Sequence, residues 1–209
     1  MVPRNCLVDS GAPMLADTSV VIDLDATGYF EQILGAVPNR LLISVDVQNE
    51  VRRGEAGGAH EENAIGAIIE RGQAKVTALT SDGLERFRSL TGGRASETLG
   101  DGDAATIACA LSLGAIALID ERKALRISAE RFPSLETATT VDVLALPQVE
   151  SDLGLSRLSE AVFHALARAR MRVPPHYLPW VVDLIGADNV GKCNSLPRSV
   201  RLPGSGAPS

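Results

Sequence analysis

Short apolar runs alternate along the chain with stretches whose apolar positions recur every three or four residues, the rhythm of parallel strands interleaved with helices. Within residues 15–23 (Leu-Ala-Asp-Thr-Ser-Val-Val-Ile-Asp) the pattern predicts a strand that ends in Asp-Thr-Ser, with its carboxylate at the sheet's carboxyl edge. Residues 28–36 predict a helix, 41–43 a buried strand, and 46–53 a short helix carrying Glu50. Ala64, Ile65, Ala67, Ile68 and Ile69 cluster at helical spacing within residues 61–71, with residues 75–79 following as an edge strand. Leu84, Phe87 and Leu90 line one side of a predicted helix over 82–90, and 91–100 is a polar, glycine-rich loop.

The next unit is the most legible. Asp101 is placed to cap a helix with the apolar stripe Ala104, Ile107, Ala108 and Leu111, closed by Gly114. Residues 115–119 predict a strand with Asp120 at its carboxyl end, residues 122–130 a returning helix, and 139–141 a last short strand with Asp142 capping the turn after it. Beyond Pro147 the organisation changes. Residues 156–171 predict an amphipathic helix with Leu158, Ala161, Val162, Ala165, Leu166 and Ala169 on its apolar face and Arg157, Arg168, Arg170 and Arg172 as a basic flank. Pro174 and Pro175 end it, and a second helix over 178–185 carries the only Trp. The expected organisation is a flexible extension over 1–13, a core domain over 14–146, a helical extension over 147–185 and a disordered tail over 186–209. Met14, directly before the first core strand, is a second candidate start of translation.

Composition narrows the function. With 209 residues, 45% hydrophobic and 22% charged, the chain reads as one soluble α/β domain with additions. Aromatics are only 3%, too few for base-stacking platforms, and the formal charge of -6 gives no general attraction for a polyanion. Contact with nucleic acid then depends on local basic patches and on metal. Cys6, Cys109 and Cys193 are odd in number and far apart, which predicts free thiols in a reducing compartment. No run is long and apolar enough to span a membrane and no signal-peptide pattern is present, so the expected location is the cytoplasm.

Several chemistries lack their parts. His60, His164 and His176 lie outside the motif-bearing segments, leaving a two-histidine ribonuclease or a Ser-His-Asp hydrolase little to build on. No phosphate-binding glycine loop follows a strand. What recurs is carboxylate at strand ends, where open α/β sheets bind ligands: Asp17, the stretch 44–51 with Asp46 and Glu50, the pair Asp101 and Asp103, and the pair Asp120 and Glu121. Acids gathered there suit Mg²⁺ or Mn²⁺, and ions of that kind support phosphodiester hydrolysis.

The order and spacing of Asp17-Thr18-Ser19, of Glu50 in the early helix, of the run Gly-Asp-Gly-Asp-Ala-Ala-Thr-Ile-Ala-Cys-Ala-Leu-Ser-Leu-Gly-Ala from Gly100, and of Leu-Ile-Asp-Glu-Arg-Lys-Ala from Leu118 resemble the PIN-domain nucleases over residues 14–146. The resemblance implies an α/β fold, a PIN-like (Rossmann-like) parallel sheet flanked by helices, here with a C-terminal helical extension. It also implies Mg²⁺- or Mn²⁺-dependent cleavage of RNA. Asp17, Glu50, Asp103 and Asp120 match the family's four acids, with Thr18 and Ser19 as supporting hydroxyls and Glu121 one residue from exchanging roles with Asp120. On this reading Asp17, Asp103 and Asp120 ligate metal, and Glu50 ligates or orients water. Many small bacterial members are toxins of toxin–antitoxin pairs, so the implied partners are RNA, a cognate antitoxin and a second copy of the chain.

Each acid has an ordinary structural reading too. Asp17 suits a helix N-cap, Glu50 a solvated helix position, Asp103 a first helical turn, and Asp120 or Glu121 a surface pair with Arg122, Lys123 or Arg126. Only coincidence would place all four in family order. Arg52 and Arg53 beside Glu50, and Arg122, Lys123 and Arg126 after Asp120, are the candidate RNA contacts, whereas the later arginine cluster reads as partner surface or solubilising charge. The alternatives are a stand-alone housekeeping RNA nuclease, a catalytically silent PIN-like scaffold and, from Asp101-Gly102-Asp103, a Toprim-like metal nuclease, although a Toprim site wants glutamate where this chain has Asp17.

Overall fold

A computed structural model describes residue 7, residues 11–52 and residues 59–201, with the side chains of 52 and 59–64 left aside. Five parallel strands form one sheet in the order β3-β2-β1-β4-β5. They are β1 (Met14–Ala16), β2 (Leu41–Ser44), β3 (Ala74–Thr77), β4 (Ile116–Leu118) and β5 (Thr137–Ala138). The chain winds outward from β1 to β3, then returns to β1's other side with β4. That reversal opens a crevice at the carboxyl ends of β1 and β4, the usual ligand position in such sheets. Asp17 and Asp120 follow those two ends, and the Asp17 N–H donates to the Leu118 carbonyl at 3.1 Å, extending the ladder to the lip of the crevice.

The first strand ends at the Asp-Thr-Ser step: β1 stops at Ala16, and Thr18–Ala26 is helix α1, with Asp17 as its N-cap accepting from the Ser19 N–H. The sequence pattern leaves residues 20–23 unassigned. β1 is central and buried on both faces, and Val20, Val21 and Leu24 are buried from a helix, so both elements read as apolar runs without a distinguishing period. Helices α2 (Phe30–Ala36), α3 (Val45–Arg52), α4 (Ala59–Glu70) and α5 (Ser81–Thr91) then fall close to the expected positions.

Helix α6 (Asp101–Leu113) is buried on nearly every side from Ala104 to Ala110, because its alanines let it lie close to the sheet, α3 and α5. Gly100, and not Asp101, is its N-cap; Asp101 occupies the first turn, where the helix dipole favours it. Gly114 ends the helix in the left-handed conformation (φ 60°). Helix α7 (Arg122–Arg131) follows Glu121, whose side chain caps it. The expected strand over 139–141 is instead a helix start: β5 precedes it, and Thr139 and Asp142 form a reciprocal capping box for α8 (Thr140–Leu144).

The sheet's two faces have separate cores. Leu15, Ala117 and Ile119 pack with α6 and α7, while Met14, Ala16, Ile43, Ile116 and Leu118 pack with α1 and α2. The second core also takes in α9 (Pro147–Leu153), α10 (Leu155–His164) and α11 (Leu178–Ile185), through Leu153, Leu158, Val162, Val181 and Ile185, and Leu166 from the turn after α10. Those helices share one apolar interior with the sheet. The stretch expected to be a tail carries two further short helices, α12 (Ala187–Val190) and α13 (Arg198–Arg201), and buries Val190, Cys193 and Leu196. Its glycine, proline and serine content concealed three apolar anchors spaced three residues apart. The expected flexible extension and the last residues of the tail lie mostly outside the described residues. No described helix is long and apolar enough to cross a membrane.

Candidate active site

Four elements deliver acids to the crevice. Asp17 comes from the β1–α1 junction, Glu50 from α3, Asp103 from the first turn of α6 and Asp120 from the end of β4. They line two adjoining clefts. One, of about 240 Å³, is walled by Asp17, Thr18, Glu50, Gly102 and Asp103. The other, of about 340 Å³, is walled by Asp17, Asp23, Asp103, Asp120 and Glu121. Asp17 and Asp103 belong to both, with Ser19 and Ile22. Among the described residues, no three histidine, cysteine, aspartate or glutamate side chains already converge as a coordination set.

Three hydroxyls bond the acids. Ser19 donates through its hydroxyl to Asp17 at 2.9 Å, and Thr18 donates to Glu50 Oε2 at 2.6 Å. Asp120 accepts on Oδ1 from the Thr140 N–H at 2.9 Å and on Oδ2 from the Thr140 hydroxyl. Glycine at position 102 is what allows Glu50 and Asp17 to share a corner: a Cβ there would stand 2.8 Å from Glu50 Oε2 and 3.0 Å from Asp17 Oδ1. Both oxygens therefore reach one small space beside the α6 backbone.

Burial makes these acids expensive to ionise. Desolvation raises Asp17, opposed by its bonds to Ser19 and Thr18. Asp103 is pushed up to about 7 by desolvation first, then by the charges of Asp17, Glu121 and Glu50, with Arg172 pulling the other way. Asp120 is raised by burial despite the Thr140 bonds. The sequence reading missed Asp23. Desolvation and neighbouring Asp120 push it up to about 9, so at neutral pH it holds a proton and donates it in a hydrogen bond to Asp120. The signal was available: once residues 18–26 are a helix, Ser19, Ile22 and Asp23 fall at i, i+3 and i+4 on one face, the face that lines the cleft.

A buried carboxylate oxygen normally has a donor. Asp103 Oδ1 is buried and has none among the described residues. A donorless acceptor whose charged neighbours include the carboxylates of Asp17, Glu121 and Glu50 has the chemistry to suit a hard cation that takes oxygen ligands.

A family model described as a PIN domain matches residues 13–186. The chain belongs to the PIN-domain family. No curated protein shows a significant match. PIN domains are generally nucleases and generally use divalent metal ions, so the fold suggests a nuclease that acts on nucleic acid. The match runs through α9, α10 and α11, in keeping with the core those helices share with the sheet.

The basic residues fall differently from expectation. Lys123 donates to the Ala95 carbonyl at 2.6 Å, and Arg126 donates to the Ser96 carbonyl and to Glu130, so both tie down the loop before α6. Neither they nor Arg122 line the two acid clefts. Of the other two candidates, Arg53 and the Arg52 side chain lie outside the described parts. Arg170 and Arg172, read as part of an outer basic flank, instead line the cleft that holds Asp120. The cause is that the helix does not run on to Met171: α10 ends at His164, a π-helical turn covers Ala165–Ala169, and the chain then turns back.

Proposed function

We propose that this PIN domain is a metal-dependent endoribonuclease in which Asp17, Glu50, Asp103 and Asp120 hold Mg²⁺ or Mn²⁺. A divalent ion bound there would supply Lewis-acid polarisation of a phosphodiester and a lowered pKa for water. The protein's part is to fix the ligands. Ser19 and Thr140 hold Asp17 and Asp120 in place, and Thr18 holds Glu50, either as a ligand or as the group that orients the attacking water. Glu121, bonded to the Lys123 N–H at 2.6 Å, is kept at the rim as the cap of α7.

The observation that carries this reading is the buried Oδ1 of Asp103, which has no donor among the described residues and has acids as neighbours. Purified protein is expected to cut single-stranded RNA in Mn²⁺ or Mg²⁺ and to stop in EDTA. Cleavage that survives EDTA rejects the mechanism. The physiological role we propose is the toxin of a toxin–antitoxin pair, acting on cellular RNA until a cognate antitoxin covers the site. Induction should arrest growth, and Asp17→Asn should abolish the arrest. RNA cleavage without toxicity would indicate a housekeeping nuclease instead.

A further inference from the structure

We propose that Arg170 and Arg172 form the phosphate-gripping wall of this cleft, engaging the RNA backbone next to the bond that the acids address. The inference rests on the nuclease reading above and names residues that the four-acid pattern does not contain.

The local backbone is built to present them. After the π-helical turn the Met171 N–H reaches back to the Ala165 carbonyl at 3.1 Å, and the Met171 side chain is buried in the core. With Met171 pointing inward, the exposed residues on either side of it flank the acid cleft. Arg170 achieves this with φ 61°, the one positive φ among the described non-glycine residues. That conformation is unfavourable for a side chain with a Cβ, and it persists only where the surroundings enforce it. A glycine at position 170 would relieve the strain but lose the cation.

The two guanidiniums also differ from the other basic groups nearby in their hydrogen bonding. Arg126 and Arg131 donate to backbone carbonyls, as does Lys123, and Arg168 lies 3.1 Å from His164 Nε2. Arg170 and Arg172 donate no hydrogen bond to any described residue. Arg172 forms an ion pair with Glu121 at 3.4 Å at the rim of the cleft. A guanidinium offers five donors in a planar fork that matches a phosphate's two free oxygens. A cleft this acidic repels a polyanion unless cations stand in its wall, and these two do.

The test uses the full chain and a fluorescein-labelled single-stranded 12-mer RNA. Binding is followed by anisotropy in Ca²⁺ over a range of salt concentrations, with cleavage measured separately in Mn²⁺. R170Q and R172Q should each weaken binding about tenfold and lower the slope of log K against log salt by about 0.7. In cleavage they should raise KM and leave kcat nearly unchanged. R172K should keep the salt slope but recover only part of the affinity, since it retains the charge without the fork. The rise in melting temperature on adding Mn²⁺ should persist in all three, showing an intact acid site. Unchanged affinity and salt slope in the double variant would overturn the proposal and leave Arg172 as a partner of Glu121 only. Failure of the wild-type protein to bind the RNA overturns it too. Binding that depends on both arginines, in a protein that does not cleave, would reject the nuclease reading and leave the phosphate wall standing.

Discussion

Asp120, toward one end of the acidic crevice, and Asp103, where its two clefts meet, manage their buried charge in different ways. Asp120 is provided for by the fold: Thr140 donates twice, and Asp23 contributes a proton from α1. Asp103 has acidic neighbours that repel it and one buried oxygen with no donor among the described residues. The first is a completed polar network, and such networks rigidify what they contain. The second is an incomplete one, and completing it is work left for a ligand. The difference implies an order: a cation should be held first by Asp103, Asp17 and Glu50, with Asp120 already in position beside them.

The largest expected effect tests the second directly. Asp103→Asn removes the charge while keeping the shape, and should lower Mn²⁺-dependent cleavage by at least about 100-fold. It should also abolish most of the Mn²⁺-induced rise in melting temperature. Asp23→Asn is the matched control beside Asp120: an amide still donates to Asp120, so cleavage should stay within the same order of magnitude. If the two substitutions behave alike, the contrast between the two acids is wrong.

That contrast also marks what could be read without coordinates. The chain order of the acids was legible because a parallel sheet places strand ends along one edge, and the short Asp-Thr-Ser and Gly-Asp-Gly-Asp runs are tied to such ends. Asp23 was not legible, because the run Val20-Val21-Ile22 looks the same in a buried strand and a buried helix; with no element assigned there, its face could not be known. Arg170 and Arg172 were visible as charges but misplaced, since a π-helical turn leaves no trace in hydrophobic spacing. The burial of Val190, Cys193 and Leu196 was hidden because it comes from tertiary contact, while local composition there favours loop.

Gly102→Ala should produce the next largest effect, and with divided signs. A methyl at this position meets Glu50 Oε2 at 2.8 Å and Asp17 Oδ1 at 3.0 Å, so one carboxylate has to withdraw from the corner. Mn²⁺ affinity should fall roughly 10- to 100-fold. The metal-free protein should hardly suffer, because alanine is favoured over glycine in a helix by about 1 kcal/mol, which in a chain of this size is worth roughly 2–4 °C in Tm. A variant that loses stability and metal response together would show that Gly102 serves packing and not the corner.

The pH dependence of the metal-free protein follows from the raised carboxyls. Burial pushes Asp103 up to about 7 and Asp23 up to about 9 in the folded state, against an ordinary aspartate value of 3.8. Between the unfolded and folded values the native state holds protons that the unfolded state has released, so stability declines with rising pH. The contribution is complete below pH 4; Asp103's share is lost by about pH 7 and Asp23's continues to be lost toward pH 9. Melting temperatures in EDTA should therefore fall from pH 5 to pH 9. Asp103→Asn should flatten the lower part of that decline, and Asp23→Asn the upper part. Added Mn²⁺ should raise Tm more at pH 8 than at pH 6, because ligation needs the charged forms. A Tm in EDTA that is flat over this range would mean that neither carboxyl is raised.

The smallest effects separate the two threonines. Thr140 is fully buried and supplies a hydroxyl as well as its backbone N–H to Asp120, whereas Thr18 supplies one hydroxyl to Glu50, which is only half-buried. Removing a hydroxyl from a buried carboxylate leaves an acceptor that water cannot reach, so Thr140→Val should cost about 1–3 kcal/mol. Thr18→Val should cost about 0.5–1.5 kcal/mol, since water can replace the lost donor on Glu50. Their effects on cleavage should run the same way, with Thr18→Val slowing it only a few-fold if Glu50 keeps its place through the ion alone. Should Thr18→Val prove the more damaging, Glu50 would depend on its hydroxyl partner more than on a cation, and the part of the crevice taken to be waiting for metal would already be complete.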